Sequence, residues 1–279
     1  MDFLEGKEKQ IFNLVLHVGS FLISKKHSLL DVLNEKSPSN IIIKADIAAD
    51  GMIKSGLNEI LGYTPQILTE DPPEWGTGVK IRFILDPIDG STNYSNWDPF
   101  WCSSLAQLDL KNHVGFAVIY APKLAETYVL SSGNVFFIRE GKFYESFPAR
   151  LPSIDILDFD ATVEQDETID GIIQFFRKIA RSEKLRLRTR SNGSIALGIA
   201  ETAFGKYDAY ISAGHIWDIV AAASIALAKG LKVTNWSGGP WWNHQDTVGK
   251  LLPIVVAPPA IHKFLMDASE RSFKPDELL

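Results

Sequence analysis

A single cysteine, Cys102, stands in a chain of 279 residues. That excludes an intrachain disulfide and any multi-cysteine metal site. Cys102 sits in an apolar, strand-like stretch with no paired histidine nearby, and its plain reading is a small core residue. Long hydrophobic runs are missing too: no window reaches the roughly 18 uninterrupted apolar residues that a membrane-spanning helix needs. The opening residues, Met1-Asp2-Phe3-Leu4-Glu5-Gly6-Lys7, lack the basic-then-apolar order of a signal peptide. The expectation is a cytoplasmic protein without a membrane partner. Basic charge is in short supply, with 28 Lys and Arg against 34 Asp and Glu and a net charge of −6. A nucleic-acid polymer would require a basic face, so that partner class is set aside.

What remains is the composition of a folded chain: 46% hydrophobic and 22% charged residues, enough for a sizeable core. Ile11, Leu14, Val15, Val18, Phe21 and Leu22 recur at helical spacing. A second helical pattern follows Asp46 through Met52, Ile53, Leu57, Ile60 and Leu61 and stops near Gly62. Lys80 to Leu85 reads as a strand ending at Asp86-Pro87, and Val114–Tyr120, Thr127–Leu130 and Val135–Ile138 read as further strands. This part predicts two helices on a largely antiparallel sheet. The stretch from Ala149 to Glu167, with Pro152 and several aspartates, is the candidate boundary, giving halves of residues 1–150 and 151–279. Beyond it come a helix near Ile169–Ala180, a basic strand Leu185–Arg188 and a helix Ser194–Phe204. A strand Tyr207–Ile211, a helix Asp218–Lys229 and strands near Leu231–Thr234 and Ile254–Ala257 follow. Alternating helices and strands predict layered α/β architecture.

The sharpest local feature is Asp86-Pro87-Ile88-Asp89-Gly90-Ser91-Thr92-Asn93-Tyr94, directly after a strand. Pro87 stiffens the chain between two carboxylates, Gly90 permits a tight turn, and Ser91 to Asn93 suit a helix start. Such a turn offers carboxylates to a hard cation and amide donors to an anion, side by side. Phosphate-ester hydrolysis needs that combination. The loop alone is equally an Asx-type turn with no ligand.

Further acids stand at element junctions, where sites in α/β folds collect. Glu70-Asp71 follows the run Gln66-Ile67-Leu68-Thr69 and precedes Pro72-Pro73. Asp46 ends the run after Ile41-Ile42-Ile43, and Asp218 opens a very apolar helix. Taken singly, Asp46 and Asp218 read as helix caps, and Glu70-Asp71 as solvated loop acids.

Together these segments resemble the inositol monophosphatase family. Asp86 to Tyr94 looks like its first signature and Trp217-Asp218-Ile219-Val220-Ala221-Ala222-Ala223 like its second. Lys44-Ala45-Asp46, Leu68-Thr69-Glu70-Asp71, Arg190-Ser191-Asn192-Gly193-Ser194-Ile195-Ala196 and Ala203 to Tyr210 come in the family's order at compatible distances. The resemblance covers roughly residues 40 to 240.

The resemblance implies an α/β (α+β) fold, a layered α-β-α-β-α sandwich with an antiparallel first sheet and a mixed second sheet. It implies two or three Mg²⁺ per site. Glu70, Asp86 and the Ile88 carbonyl would hold one ion, Asp86, Asp89 and Asp218 a second, and Asp46 would stand near a third. Asp89, Gly90, Ser91, Thr92, Gly193, Ser194 and Asp218 would contact phosphate or substrate, and Glu70, Ser91 and Asp46 would order and polarise the attacking water. Such ions would also reconcile an acidic chain with a phosphate substrate. Lithium sensitivity and a homodimer are further family expectations.

Departures bear on the substrate. Ser91 replaces a common threonine, Ile195 stands where alanine is usual, and Ile211 to Ile216 lacks the glutamate that inositol-specific members use. The expected substrate is a small cyclitol or sugar phosphate. Fructose 1,6-bisphosphate or a 3′-phosphoadenosine nucleotide is the alternative on the same site, and a catalytically silent binding protein a third reading. His215, the cluster Trp236, Trp241 and Trp242, and Arg186, Arg188 and Arg190 on one strand face have substrate-binding readings. A packed or surface histidine, a core edge and a solvated sheet edge are the plainer ones.

Overall fold

The computed structural model describes residues 3–29, 32–37, 40–70, 82–148, 156–160, 186–243 and 249–271. Asp71, the strand start at Lys80, the helix expected over 169–180, Leu185 and most of the expected boundary at 149–167 lie outside the described residues.

Helices α1 (Gly6–Leu29) and α2 (Lys44–Leu61) form the first layer, with a short hairpin, β1 (Val32–Ser37) and β2 (Asn40–Ile43), between them in sequence. Each helix turns one apolar stripe inward. Ile11, Phe12, Val15, Val18 and Leu22 are buried on α1, and Ala45, Ala49, Ile53, Leu57 and Leu61 recur every fourth residue on α2. The stripes pack on a seven-stranded sheet in the order β3-β4-β5-β6-β7-β8-β9. Its strands are β3 (Gln66–Thr69), β4 (Arg82–Asp89), β5 (Cys102–Leu108), β6 (Val114–Ala121), β7 (Glu126–Ser131), β8 (Asn134–Arg139) and β9 (Lys142–Tyr144). Every neighbouring pair is antiparallel except β3 and β4, which run parallel at the edge. The first sheet is therefore mixed by one pair. An antiparallel β3–β4 pairing would fit a tight hairpin, whereas a parallel pair needs a longer crossover.

The second sheet has five strands in the order β11-β10-β12-β14-β13: β10 (Ile156–Asp160), β11 (Arg186–Arg190), β12 (Ala209–Gly214), β13 (Lys232–Thr234) and β14 (Leu252–Ala257). β10 is parallel to β11 and β12, while β14 is antiparallel to β12 and β13. Between the sheets lie α4 (Ile195–Ala203) and α5 (Ile216–Ala228). All nine residues of α4 are buried, as are ten of the thirteen in α5. Helices apolar on every side belong in the interior, and the alanines of α5 allow close approach. The outer face of the second sheet is covered by α6 (Pro259–Arg271) through Leu265 and Ala268. The layers run α-β-α-β-α. The central cluster joins Ile84, Ala106 and Ile119 from the first sheet to Trp217, Ala222 and Ile254 beyond it.

Candidate active site

β4 carries the first two acids into the interior. Its last seven residues, including Asp86 and Asp89, are buried. The pairing with β5 slips between Asp86, opposite Ser104, and Asp89, opposite Cys102. Pro87 has no N–H for the ladder; its carbonyl instead accepts a 2.8 Å bond from Ser103 Oγ. The Ile88 amide folds back to Asp86 Oδ1 at 2.9 Å, and Gly90, with φ of 93°, starts the short helix α3 (Ser91–Ser95). Ser91 sits on its first turn with its hydroxyl 3.0 Å from the Ile88 carbonyl and 3.3 Å from Asp46 Oδ1. Thr92 is exposed beside it.

Asp218 reaches the same place from α5, where it is the third residue. Its Oδ2 accepts from the His215 amide at 2.7 Å, closing a capping box. Carboxylate oxygens of Asp86, Asp89 and Asp218 lie within 4.8 Å of one another, although the residues are only 3%, 2% and 4% exposed. Burial and then the charges of Asp89, Glu70 and Asp46 push the Asp86 carboxyl well above its ordinary value. Burial also raises Asp89, to about 6, against the pull of bonds from Ser194, Ala196, Ile195 and Cys102. Such a cluster of buried oxygens repels itself until a cation joins it, and hard oxygen donors of this kind suit Mg²⁺. The residues fit the ion.

Alongside, Asp46, Ile47, Asp50, Thr69, Glu70 and Pro87 line an open pocket of about 60 Å³, room for a few water-sized groups. Asp46 and Glu70 thus face the side of the cluster where their charge reaches Asp86. Asp50 escaped the sequence reading; its spacing of four from Asp46, one helical turn, was the available signal. Gly193 and Ser194 approach from the loop before α4, and Ser194 is fully buried with its hydroxyl 2.5 Å from Asp89 Oδ2. Ile195 is also fully buried. Cys102 is a core residue, 3.6 Å from Asp89 Oδ2. His215 stacks on Trp217 with ring centroids 4.6 Å apart. Trp241 and Trp242 pack on the edge of the central core, and Arg188 and Arg190 are exposed on β11.

The sequence pattern of the inositol monophosphatase family matches residues 8–273. The chain belongs to the inositol monophosphatase family. It is a phosphatase of this superfamily, whose members hydrolyse phosphate monoesters and depend on metal ions. An inositol monophosphatase of Dictyostelium discoideum is 26% identical over 231 residues, covering 81% of this phosphatase and 84% of the relative. The 3′(2′),5′-bisphosphate nucleotidase CysQ of Shigella flexneri is 27% identical over 217 residues, covering 76% and 82%. Among solved structures, the Thermotoga maritima IMPase superposes with a TM-score of 0.72 at 24% identity, covering 94% of this phosphatase and 95% of that chain. The extragenic suppressor protein suhB of Bartonella henselae gives 0.77 at 22%, covering 94% and 97%. These superpositions establish the shared fold. No helix among the described residues is long and apolar enough to cross a membrane.

Proposed function

We propose that this phosphatase is a Mg²⁺-dependent phosphomonoesterase acting on a small cyclitol or sugar phosphate. The convergence of Asp86, Asp89 and Asp218 carries the reading. In it, Glu70, Asp86 and the Ile88 carbonyl hold one ion, and Asp86, Asp89 and Asp218 a second, with Asp46 near a third. Bound there, the ions supply neutralising charge for the phosphate and for the departing alkoxide, and make a water acidic enough to attack at neutral pH. Backbone N–H groups at Gly90, Ser91 and Thr92, at the start of α3, hold the non-reacting phosphate oxygens. The Ser91 hydroxyl, 3.3 Å from Asp46 Oδ1, can accept a hydrogen bond from the attacking water while donating to the carboxylate. Asp46 and Glu70 are the bases toward which that proton moves. In this reading the Ser91 hydroxyl serves the attacking water, so no covalent phosphoenzyme is needed.

The test is phosphate release from a substrate panel with and without Mg²⁺, by wild type and Asp89→Asn. Magnesium-stimulated release that falls at least about 100-fold in Asp89→Asn is expected, at or beyond the top of the range for metal-site partners. Equal rates in the two proteins, or no release from any ester, would favour the silent binding role. The panel includes fructose 1,6-bisphosphate and a 3′-phosphoadenosine nucleotide, since a CysQ nucleotidase is as similar to this chain as the Dictyostelium inositol monophosphatase. Preference for the nucleotide would overturn the substrate class. The same reading includes lithium inhibition, a homodimer and a cytoplasmic location. Lithium titration of the Mg²⁺-activated rate and sedimentation equilibrium check the first two.

A further inference from the structure

Asn93, the third residue of α3, has no place in the chemistry above, yet its side chain spans two distant loops. Its Nδ2 donates to the Phe100 carbonyl and to the Asn192 carbonyl, each at 2.5 Å. Both hydrogens of the amide are thereby used. Gly193 comes so close that a Cβ there would stand 2.6 Å from Asn93 Nδ2, and its φ is 78°. Only glycine accommodates both the contact and the conformation. From this anchored loop, Asn192 Oδ1 accepts from the Ser194 amide at 3.0 Å, fixing Ser194 as the cap of α4. Ser194 Oγ and the Ala196 amide then bond Asp89 Oδ2 at 2.5 and 2.7 Å, and the Ile195 amide reaches Asp89 Oδ1 at 3.2 Å. With Cys102 Sγ also directed at Oδ2, Oδ1 keeps the larger unspent acceptor capacity. The chain of contacts closes on itself, because Asp89 and Asn93 flank the same turn.

We propose that Asn93 is a positioning residue for the Asp89 carboxylate, acting through Asn192 and Ser194 to seat the start of α4 against it. The inference rests on Asp89 being a metal ligand, as argued under the proposed function. A ligand held by this brace keeps one orientation; released, it rotates among several and loses affinity.

The test is calorimetric titration of Mg²⁺ into the purified full chain, with melting temperatures recorded in parallel. Asn93→Ala and Ser194→Ala are each expected to weaken Mg²⁺ binding about 10- to 100-fold. The double variant is expected to bind no more weakly than the weaker single, as for two links of one path. Unchanged Mg²⁺ affinity in Asn93→Ala with a lowered melting temperature would show a merely structural brace and overturn the proposal. So would fully additive losses in the double variant. If Asn93→Ala does not fold, Asn192→Ala breaks the middle link and is read the same way against Ser194→Ala. Asp89→Asn separates the two levels of argument. Wild-type Mg²⁺ affinity in that variant overturns the metal reading and this inference with it; weakened affinity there, but not in Asn93→Ala, overturns the positioning role alone.

Discussion

At the scale of single residues, the site is set by atoms that leave little room for substitution. A methyl group at Gly214 would stand 2.4 Å from Ile195 Cδ1 and 2.9 Å from Asp218 Oδ2. Gly214→Ala therefore overpacks the core and presses on a proposed metal ligand together. A loss of about 1–3 kcal/mol in denaturant unfolding is expected, with a larger fall in kcat than stability alone explains. Ile195 fits because Gly214 leaves it space. Cys102 illustrates the opposite case, a reactive group made inert. Burial, then the Asp89 charge, pushes its thiol well above the ordinary value, and nucleophilicity belongs to the thiolate. Cys102 should react with a thiol reagent only after unfolding; rapid labelling of the native chain would contradict its placement.

At the scale of elements, α4 carries a buried acid with consequences for stability. Glu201 is fully buried and pairs with Lys206 through Oε1. Glu126 faces it from β7 and adds repulsion, Tyr207 donates to it, and Tyr128, which bonds Glu126 at 2.7 Å, lies close enough to feel its charge. Burial outweighs the lysine and raises Glu201 from 4.5 to about 7. Between those values the folded chain keeps a proton that the unfolded chain releases, so stability falls as pH rises through that window. The effect is at most on the order of 3 kcal/mol, taking about 1.4 kcal/mol per tenfold change in the equilibrium. Melting curves from pH 5 to pH 8 in saturating Mg²⁺ are expected to lose this slope in Glu201→Gln. Parallel curves for the two proteins would refute it.

For the whole molecule, the acidic site joins segments far apart in sequence. Asp86 and Asp89 end a strand of the first sheet, and Asp218 belongs to a helix between the sheets. A cation bound by all three ties these layers together and is absent from the unfolded chain. Mg²⁺ at about 100 times its dissociation constant is expected to add about 2.7 kcal/mol to stability, read as a higher melting temperature that EDTA reverses. In Asp89→Asn the shift should shrink or vanish. A shift as large as in wild type would place the ion elsewhere.

Much of this was legible in local pattern. The stripes of α1 and α2, the strand before Asp86 and the apolar α5 follow from periodicity, because burial on one face or on every face leaves its mark in the residues themselves. Asp46, Glu70, Asp86, Asp89 and Asp218 stood out because each ends one element or opens another. The parallel β3–β4 pair did not, since strand direction depends on a connection rather than on the strands. Asn93 meeting Asn192 and the buried Glu201 meeting Lys206 left no usable mark either, and Asp50 only its helical spacing from Asp46. By itself the sequence marked many of the helices and strands, though not β10 within the stretch read as a boundary nor α6, and it marked which acids stand at element ends. Only the tertiary structure decided that three of those acids share one buried spot and which amides hold them there, because distances between remote segments are set by packing layers and not by spacing along the chain.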